Sequence, residues 1–327
     1  MFAIINRKIL LAIAGVIMIG SSLLIGFLGL NLGIDFTGGS LTEVSYKEAP
    51  TKERLEKVVA EAVSDLGGFS VRASEVDSGD TTYLIRTRDL SEEERHLLHE
   101  AVIAEGFGTI ERFTSIGPVI GEELKDKAGW AIFGVVMIIV FYVAFAFSGI
   151  GVPVSSWVYG GITIFVLVHD VLVPTALMSL LGHFAGMEVD VLFVTALLAV
   201  LGYSVNDTIV VFDRVRENLV KNRTEHRKKH KEPGGVEHEI VTYKLTAPYD
   251  EIVGSAVSET LSRSINTSFT TLIALTALYF FGGAVTQTFA LVLIAGVLAG
   301  TYSSICIASP LVVAYSKYKE SKKKEIN

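Results

Sequence analysis

Asp207 is the residue whose chemistry most needs an explanation. It stands in Gly202-Tyr203-Ser204-Val205-Asn206-Asp207-Thr208, inside an apolar run from Val191 to Phe212. A carboxylate at the centre of a membrane helix costs about 2.5–3.5 kcal/mol even on a lenient insertion scale, so it should face a bundle interior. Ser204, Asn206 and Thr208 are then its expected polar company. Two readings fit: a hydrogen-bonded packing residue, or a protonatable group on an ion pathway.

His169 and Asp170 raise the same question four residues before Pro174. A proline there removes the backbone bond to the carbonyl of residue 170 and should kink the helix, so the pair could satisfy freed backbone groups or take part in chemistry. Arg263 opens Arg263-Ser264-Ile265-Asn266-Thr267-Ser268-Phe269-Thr270-Thr271. Alone it reads as an interfacial anchor. The polar residues after it, Asn266, Thr267 and Ser268 among them, predict a buried or hydrated face on which Arg263 could pair with Asp207. Asp213 belongs to a charge cluster, with Arg214, Arg216 and Glu217, at a helix end. Gly296 and Gly300, followed by Ser303 and Ser304, read as a close helix-packing step. Lys221–Lys231 reads as a solvated basic loop, and its His226 and His230 lack a carboxylate framework for a metal. No catalytic constellation and no metal site emerges.

These residues need helices to hold them. The chain has 327 residues, 50% hydrophobic and only 19% charged, with mean hydropathy +0.49; soluble domains of this size carry nearer a quarter charged residues. From Ala128 to Val168, and again from Ser264 to Ser316, no Asp, Glu, Lys, Arg or His occurs. About 20 apolar residues already cross the hydrocarbon layer, so a soluble globular enzyme is excluded. Intrinsic disorder and nucleic-acid binding go with it, given the net charge of −7. A single cysteine, Cys306, excludes a disulfide framework and disfavours a zinc knuckle.

Six spans are expected, near Ile9–Leu30 (an uncleaved anchor), Gly129–Phe147, Ser155–Leu181, Val191–Phe212, Ile265–Phe281 and Phe289–Tyr315. The second and third are divided at Ser148–Pro153, the last two at Gly282-Gly283. Lys and Arg gather at the amino terminus, in 214–263 and after Tyr315, which places both termini in the cytoplasm and leaves a five-helix region, 128–316, and a basic tail, 317–327.

Residues 31–127, between the first two spans, should be an extracytoplasmic α+β domain. Strands are predicted at Leu41–Tyr46, Phe69–Glu75, Thr81–Thr87 and Gly108–Thr114, with a turn at Asp77–Asp80. One helix follows Thr51 over Arg54–Asp65; another starts at the Ser91/Glu94 capping signal and reaches about Ala104. The order βαββαβ is ferredoxin-like. The expected fold is thus an α-helical membrane bundle with a ferredoxin-like domain inserted after its first helix.

The motifs resemble those of the SecD/SecF family. Gly33-Ile34-Asp35-Phe36-Thr37-Gly38-Gly39 is similar to its signature loop. Leu201–Asn218 is similar to the fourth-span motif of its SecF members almost throughout, and His169-Asp170-Val171, Ser262-Arg263-Ser264, Thr267–Thr271 and Gly300–Ser304 also fit. The resemblance implies a resistance-nodulation-division membrane fold in the bacterial inner membrane, with SecD as partner beside the SecYEG channel. It implies a non-enzymatic role without cofactor, in which the proton motive force promotes late export of a preprotein. Asp207 would carry the proton, Arg263 would be the intramembrane arginine, and Asp170 and Asp213 would support them. H⁺ or Na⁺ would suit an aspartate among hydroxyls. A proton-coupled exporter of lipid or small molecules, or a non-conducting scaffold for SecD, are the rival readings; an intramembrane aspartyl protease lacks its Gly-x-Gly-Asp. Against the family, the stretch from Asn218 to Arg263 is about twenty residues long in excess, around Arg223–Tyr249.

Overall fold

The first long apolar run forms one helix because nothing in it interrupts the backbone ladder. In the computed structural model, which describes residues 2–63, 66–75, 81–146, 154–231 and 237–326, a short α1 (Phe2–Ile5) leads into α2 (Arg7–Leu28), which stops at Gly29. A one-turn α3 (Ile34–Thr37) then hands the chain to the outer domain.

That domain runs β1 (Gly39–Tyr46), α4 (Lys52–Ala62), β2 (Ser70–Glu75), β3 (Thr81–Thr87), α5 (Glu92–Ala104), β4 (Thr109–Ile116). The strands form an antiparallel sheet in the order β2-β3-β1-β4, the ferredoxin-like arrangement that the sequence pattern predicts. Thr51 caps α4, and Ser91 with Glu94 forms a reciprocal capping box on α5. Alternation along the strands turns Val44, Tyr46, Val71, Tyr83 and Ile85 onto Leu55, Val59, Leu98 and Val102 of the two helices. The Tyr46 hydroxyl donates to the Val102 carbonyl at 2.7 Å. The predicted turn at Asp77–Asp80 and the end of the first predicted helix, Ser64 and Asp65, lie outside the described residues.

The membrane part consists of α6 (Pro118–Ala146), α7 (Ser156–Ala185), α8 (Val191–Lys221), α9 (Tyr249–Phe281) and α10 (Ala284–Ser303). The last continues through a π-turn, Ser304–Ala308, into α11 (Ser309–Ile326). Counting α2, six helical segments are long and apolar enough to cross a membrane. The expected break at Ser148–Pro153 lies outside the described residues; the one at Gly282-Gly283 separates α9 from α10. α7 remains one helix through Pro174.

The stretch 214–263 is a loop only in part. α8 runs on to Lys221 and α9 begins at Tyr249, while β5 (Arg223–Lys231) and β6 (Glu237–Leu245) pair as an antiparallel hairpin. The basic stretch read as a loop, with His226 and His230, is strand β5. Its charges hid a nine-residue strand because polar residues fill both alternating sets of positions, so no apolar face marks the period.

α7, α8 and α10 with its continuation are the inner helices, about half buried along their apolar windows; α2, α6 and α9 are far more exposed. The inner contacts are close. A Cβ on Gly296 would lie 2.1 Å from Val200 Cγ2, and one on Gly300 would lie 3.0 Å from Ser204 Cβ. Glycines there let α10 approach α8 backbone to side chain, which the small-residue step predicts.

Candidate functional site

Two carboxylates sit inside this bundle, and each is held differently. Asp170 on α7 is wholly buried, as is His169 beside it. Its Oδ1 lies 2.8 Å from His169 Nδ1. Its Oδ2 accepts from Ser303 Oγ at 2.8 Å and from Ser204 Oγ. The other imidazole nitrogen, Nε2, is bonded to the Tyr302 hydroxyl, and the two rings meet edge to face with centroids 5.2 Å apart. Asp207 on α8 is 8% exposed. Ser264 of α9 donates to its Oδ1 at 2.7 Å, and Ser304 of the π-turn donates to its Oδ2 at 3.1 Å.

The π-turn explains why neighbouring residues serve two helices. Ser303 and Ser304 are one step apart, so their side chains leave the helix about 100° apart, one toward α7 and the other toward α8. π-turns interrupt helices often at functional positions.

None of the three residues expected as polar company for Asp207 is its hydrogen-bond partner. Ser204 turns to Asp170 instead, Asn206 is exposed, and the buried Thr208 hydroxyl has no hydrogen-bond partner among the described residues. Adjacent residues of a helix do not share a face, so the true partners come from other helices. The same rule undoes the expected pairing of Arg263 with Asp207. Ser264 points inward to the carboxylate, while Arg263, one position earlier, is exposed and makes no ion pair among the described residues. Asn266 and Thr267 are exposed with it. Ser268 is buried, accepting from Thr301 Oγ1 at 2.6 Å and from the Tyr203 hydroxyl at 3.2 Å. Asp213 is exposed, paired to Arg216 at 2.8 Å and apart from the buried carboxylates. Sequence reasoning missed Tyr302 as a partner and took Ser303 and Ser304 for packing alone. The signal was present: two consecutive hydroxyls in an uncharged span, beside a bundle with two carboxylates to satisfy.

At the far end of the bundle, the loop Gly33–Gly39 clamps the outer domain. Gly33 N donates to the Val189 carbonyl at 2.8 Å, and Val189 N to the Asn31 carbonyl at 2.7 Å. Asp35 Oδ2 accepts from Val191 N at 2.8 Å and Asp190 Oδ1 from Phe193 N at 2.8 Å, so two carboxylates cap α8. Phe36 packs among Met178, Val189 and Phe193. Gly38 and Gly39 have φ of +74° and +124°; a Cβ on the first would lie 2.8 Å from Pro118 Cα, and on the second 2.5 Å from the Thr87 carbonyl oxygen. Arg86 of the sheet reaches across, donating to Glu188 at 2.9 Å and to Thr37 Oγ1 at 2.7 Å. Burial pushes the Glu188 carboxyl above its ordinary range, partly offset by Arg86; burial also raises Asp190.

Six spanning helices around buried carboxylates, with a ferredoxin-like domain clamped to one end, define a multi-pass membrane protein of the transporter type. The family described as "Protein export membrane protein SecD/SecF, C-terminal" matches residues 101–232 and 236–318, and "SecD/SecF GG Motif" matches residues 23–50. The protein translocase subunit SecF of Sebaldella termitidis is 35% identical over 91% of this chain and 86% of its own. That of Thermobaculum terrenum is 36% identical over 91% and 89%. A crystal structure of SecDF from Thermus thermophilus superposes with a TM-score of 0.78 at 31% identity, over 95% of this chain and 38% of that one. The chain belongs to the SecD/SecF protein-export family, and its relatives along the whole length are SecF subunits of the protein translocase.

Proposed function

We propose that the chain works with a SecD-type partner in a bacterial cell membrane, both termini cytoplasmic, and uses proton uptake at Asp207 to promote late export of preproteins through the SecYEG channel. The observation that carries this reading is the state of Asp207. It is a buried mid-span carboxylate held by two hydroxyls and by no cation among the described residues. Hydroxyls can donate to a carboxylate or, by rotating, accept from a carboxylic acid, so this setting fits either protonation state, which is what a carrier requires.

Arg263 supports the partner. With Asn266, Thr267 and Thr270 it forms an exposed polar stripe at helical spacing on α9. Lipid is a poor neighbour for that stripe, and a second bundle with a complementary acid is a good one. The shared length points the same way, since the fused SecDF chain of Thermus thermophilus is covered by this one over only 35%. One charge crossing the membrane potential is worth about 2.3 kcal/mol per 100 mV. That biases a two-state bundle roughly fiftyfold.

The test is release of a preprotein from membranes holding SecD and this chain, with and without a proton gradient. Asp207→Asn is expected to abolish the gradient-dependent part, and Arg263→Met to reduce both that part and co-purification of SecD. Wild-type release by Asp207→Asn would make the chain a scaffold for SecD. Release that follows a sodium gradient instead would make Na⁺ the coupling ion.

A further inference from the structure

We propose that the cavity between the outer sheet and the turn joining α7 to α8 is a phosphate site for a phospholipid headgroup, with Arg72 as its cation. The register of the sheet builds one wall. Ser70 pairs with Arg86 and Arg72 with Leu84, and the two rows continue through Leu41 to Thr114 and through Glu43 to Arg112. Their neighbours along the strands, Val71, Tyr83 and Ile85, pack on α4 and α5, so these rows occupy the face without helices. That face meets Gly33–Asp35 and the stretch 186–192 across a cavity of about 370 Å³, within the usual span of small-ligand pockets.

Three arginines and three carboxylates line it, but the carboxylates are already engaged. Asp35 and Asp190 accept from the first amides of α8, and Glu188 takes Arg86 at 2.9 Å. Arg112 lies 3.6 Å from Glu43. Arg72 is half-buried and makes no hydrogen bond or ion pair among the described residues. Burial lowers its pKa, and Glu188, at longer range, offsets only part of that. A desolvated guanidinium without a bonded anion is costly, and its planar fork matches phosphate. A second donor stands opposite: Thr288 of α10 lines the same cavity, is 8% exposed, and its hydroxyl has no partner among the described residues.

Position selects the source of the phosphate. α7 stops at Ala185, α8 starts at Val191, and Thr288 is in the opening turns of the last span. The cavity therefore sits where the spanning helices leave the hydrocarbon, which is the level of the lipid headgroups. Ile34, Leu41, Leu84 and Leu192 add an apolar lining for the glycerol and the first acyl carbons. A headgroup bound there ties the sheet to the bundle beside the Arg86–Glu188 pair. The inference needs the spanning helices and not the coupling role of Asp207.

The experiment is amide exchange of the full chain in alkyl-maltoside micelles, which hold no phosphate, during titration with phosphatidylglycerol. Exchange at Gly33 and Val189, whose amides join the loop to the bundle, is expected to slow and saturate. Arg72→Gln is expected to raise the half-saturating lipid about tenfold, the size of one lost hydrogen bond to a charged group. Arg72→Lys keeps the charge without the fork and should fall between the two. Diacylglycerol with the same chains, and inorganic phosphate alone, should leave exchange unchanged. Slowing by diacylglycerol equal to that by phosphatidylglycerol, or one half-saturation shared by wild type and Arg72→Gln, overturns the site. Slowing by inorganic phosphate that Arg72→Gln abolishes overturns the lipid as source and keeps the phosphate site. Exchange at the buried Tyr46 and Ile85 checks that each variant is folded, and Arg72→Lys carries the test if Arg72→Gln is not. Asp207→Asn is expected to bind the lipid as wild type does, so the coupling reading and this site fail separately.

Discussion

Asp170 and Asp207 lie in neighbouring helices of one bundle, yet the protein treats them in opposite ways. Asp170 is sealed, with an imidazole at one oxygen and two hydroxyls at the other. Asp207 keeps a small exposure and has only hydroxyls. A hydroxyl can donate to a carboxylate or accept from a carboxylic acid, so Ser264 and Ser304 can serve either protonation state by rotating. The imidazole on Asp170 is fixed in a packed site and has no such rotation. The difference in burial and in partners predicts that equal substitutions will have unequal costs.

The largest effect is expected at Asp170. Asp170→Asn puts an amide donor into a wholly buried site where one imidazole and two hydroxyls now converge, and a mismatched buried polar group costs about 1–3 kcal/mol. Asp207→Asn keeps an oxygen for Ser264 and Ser304 and is expected to stay within about 1 kcal/mol of wild type. Thermal unfolding of both variants in the same detergent compares them directly. Equal losses of stability would erase the distinction between the two sites.

How much of this could be read beforehand follows from the kind of pattern involved. The outer domain was legible because its signals are local: alternation along β1 and β3, the Thr51 cap and the Ser91/Glu94 box each stand within a few residues. The spans were legible from length and apolarity. The carboxylates were visible as polar residues in apolar runs, but their partners were not. Ser264, Ser303 and Ser304 lie roughly 60 to 130 residues away along the chain, and helical phase decides which of them turns inward. That phase is why Asn206 and Arg263, adjacent in sequence to the right residues, face outward. The same limit hid the clamp: Gly38 and Gly39 could be matched as a motif, while the Thr87 carbonyl and Pro118 that demand them could not.

The second effect tests whether the clamp is independent of the buried carboxylates. In Gly39→Ala a Cβ would stand 2.5 Å from the Thr87 oxygen at a φ of +124°, a strain of about 1–3 kcal/mol. Amide exchange is expected to quicken at Gly33, Thr37 and Val189, whose bonds join the clamp. Exchange around Ser204 and Asp207 should not change. Faster exchange in α8 near Asp207 would mean that the outer domain and the carboxylate network open as one unit.

The smallest effect concerns Glu188, which shows a third way of burying a carboxylate, against an arginine. Its pKa is raised by burial despite Arg86, so the clamped state binds the proton more tightly than a state in which the loop is free. Linkage then gives the sign: clamping is favoured as pH falls through the raised value, and that advantage is lost as pH rises above it. The pair is partly solvated, with each side chain 23% exposed, which keeps the expected change small. Exchange at Gly33 and Val189, corrected for the intrinsic pH dependence of exchange, should be slower at pH 5 than at pH 8. Glu188→Gln is expected to keep the slow exchange at both, since it is neutral throughout and still accepts from Arg86. Slower exchange at pH 8 in the wild-type chain would show that the arginine outweighs burial at this position.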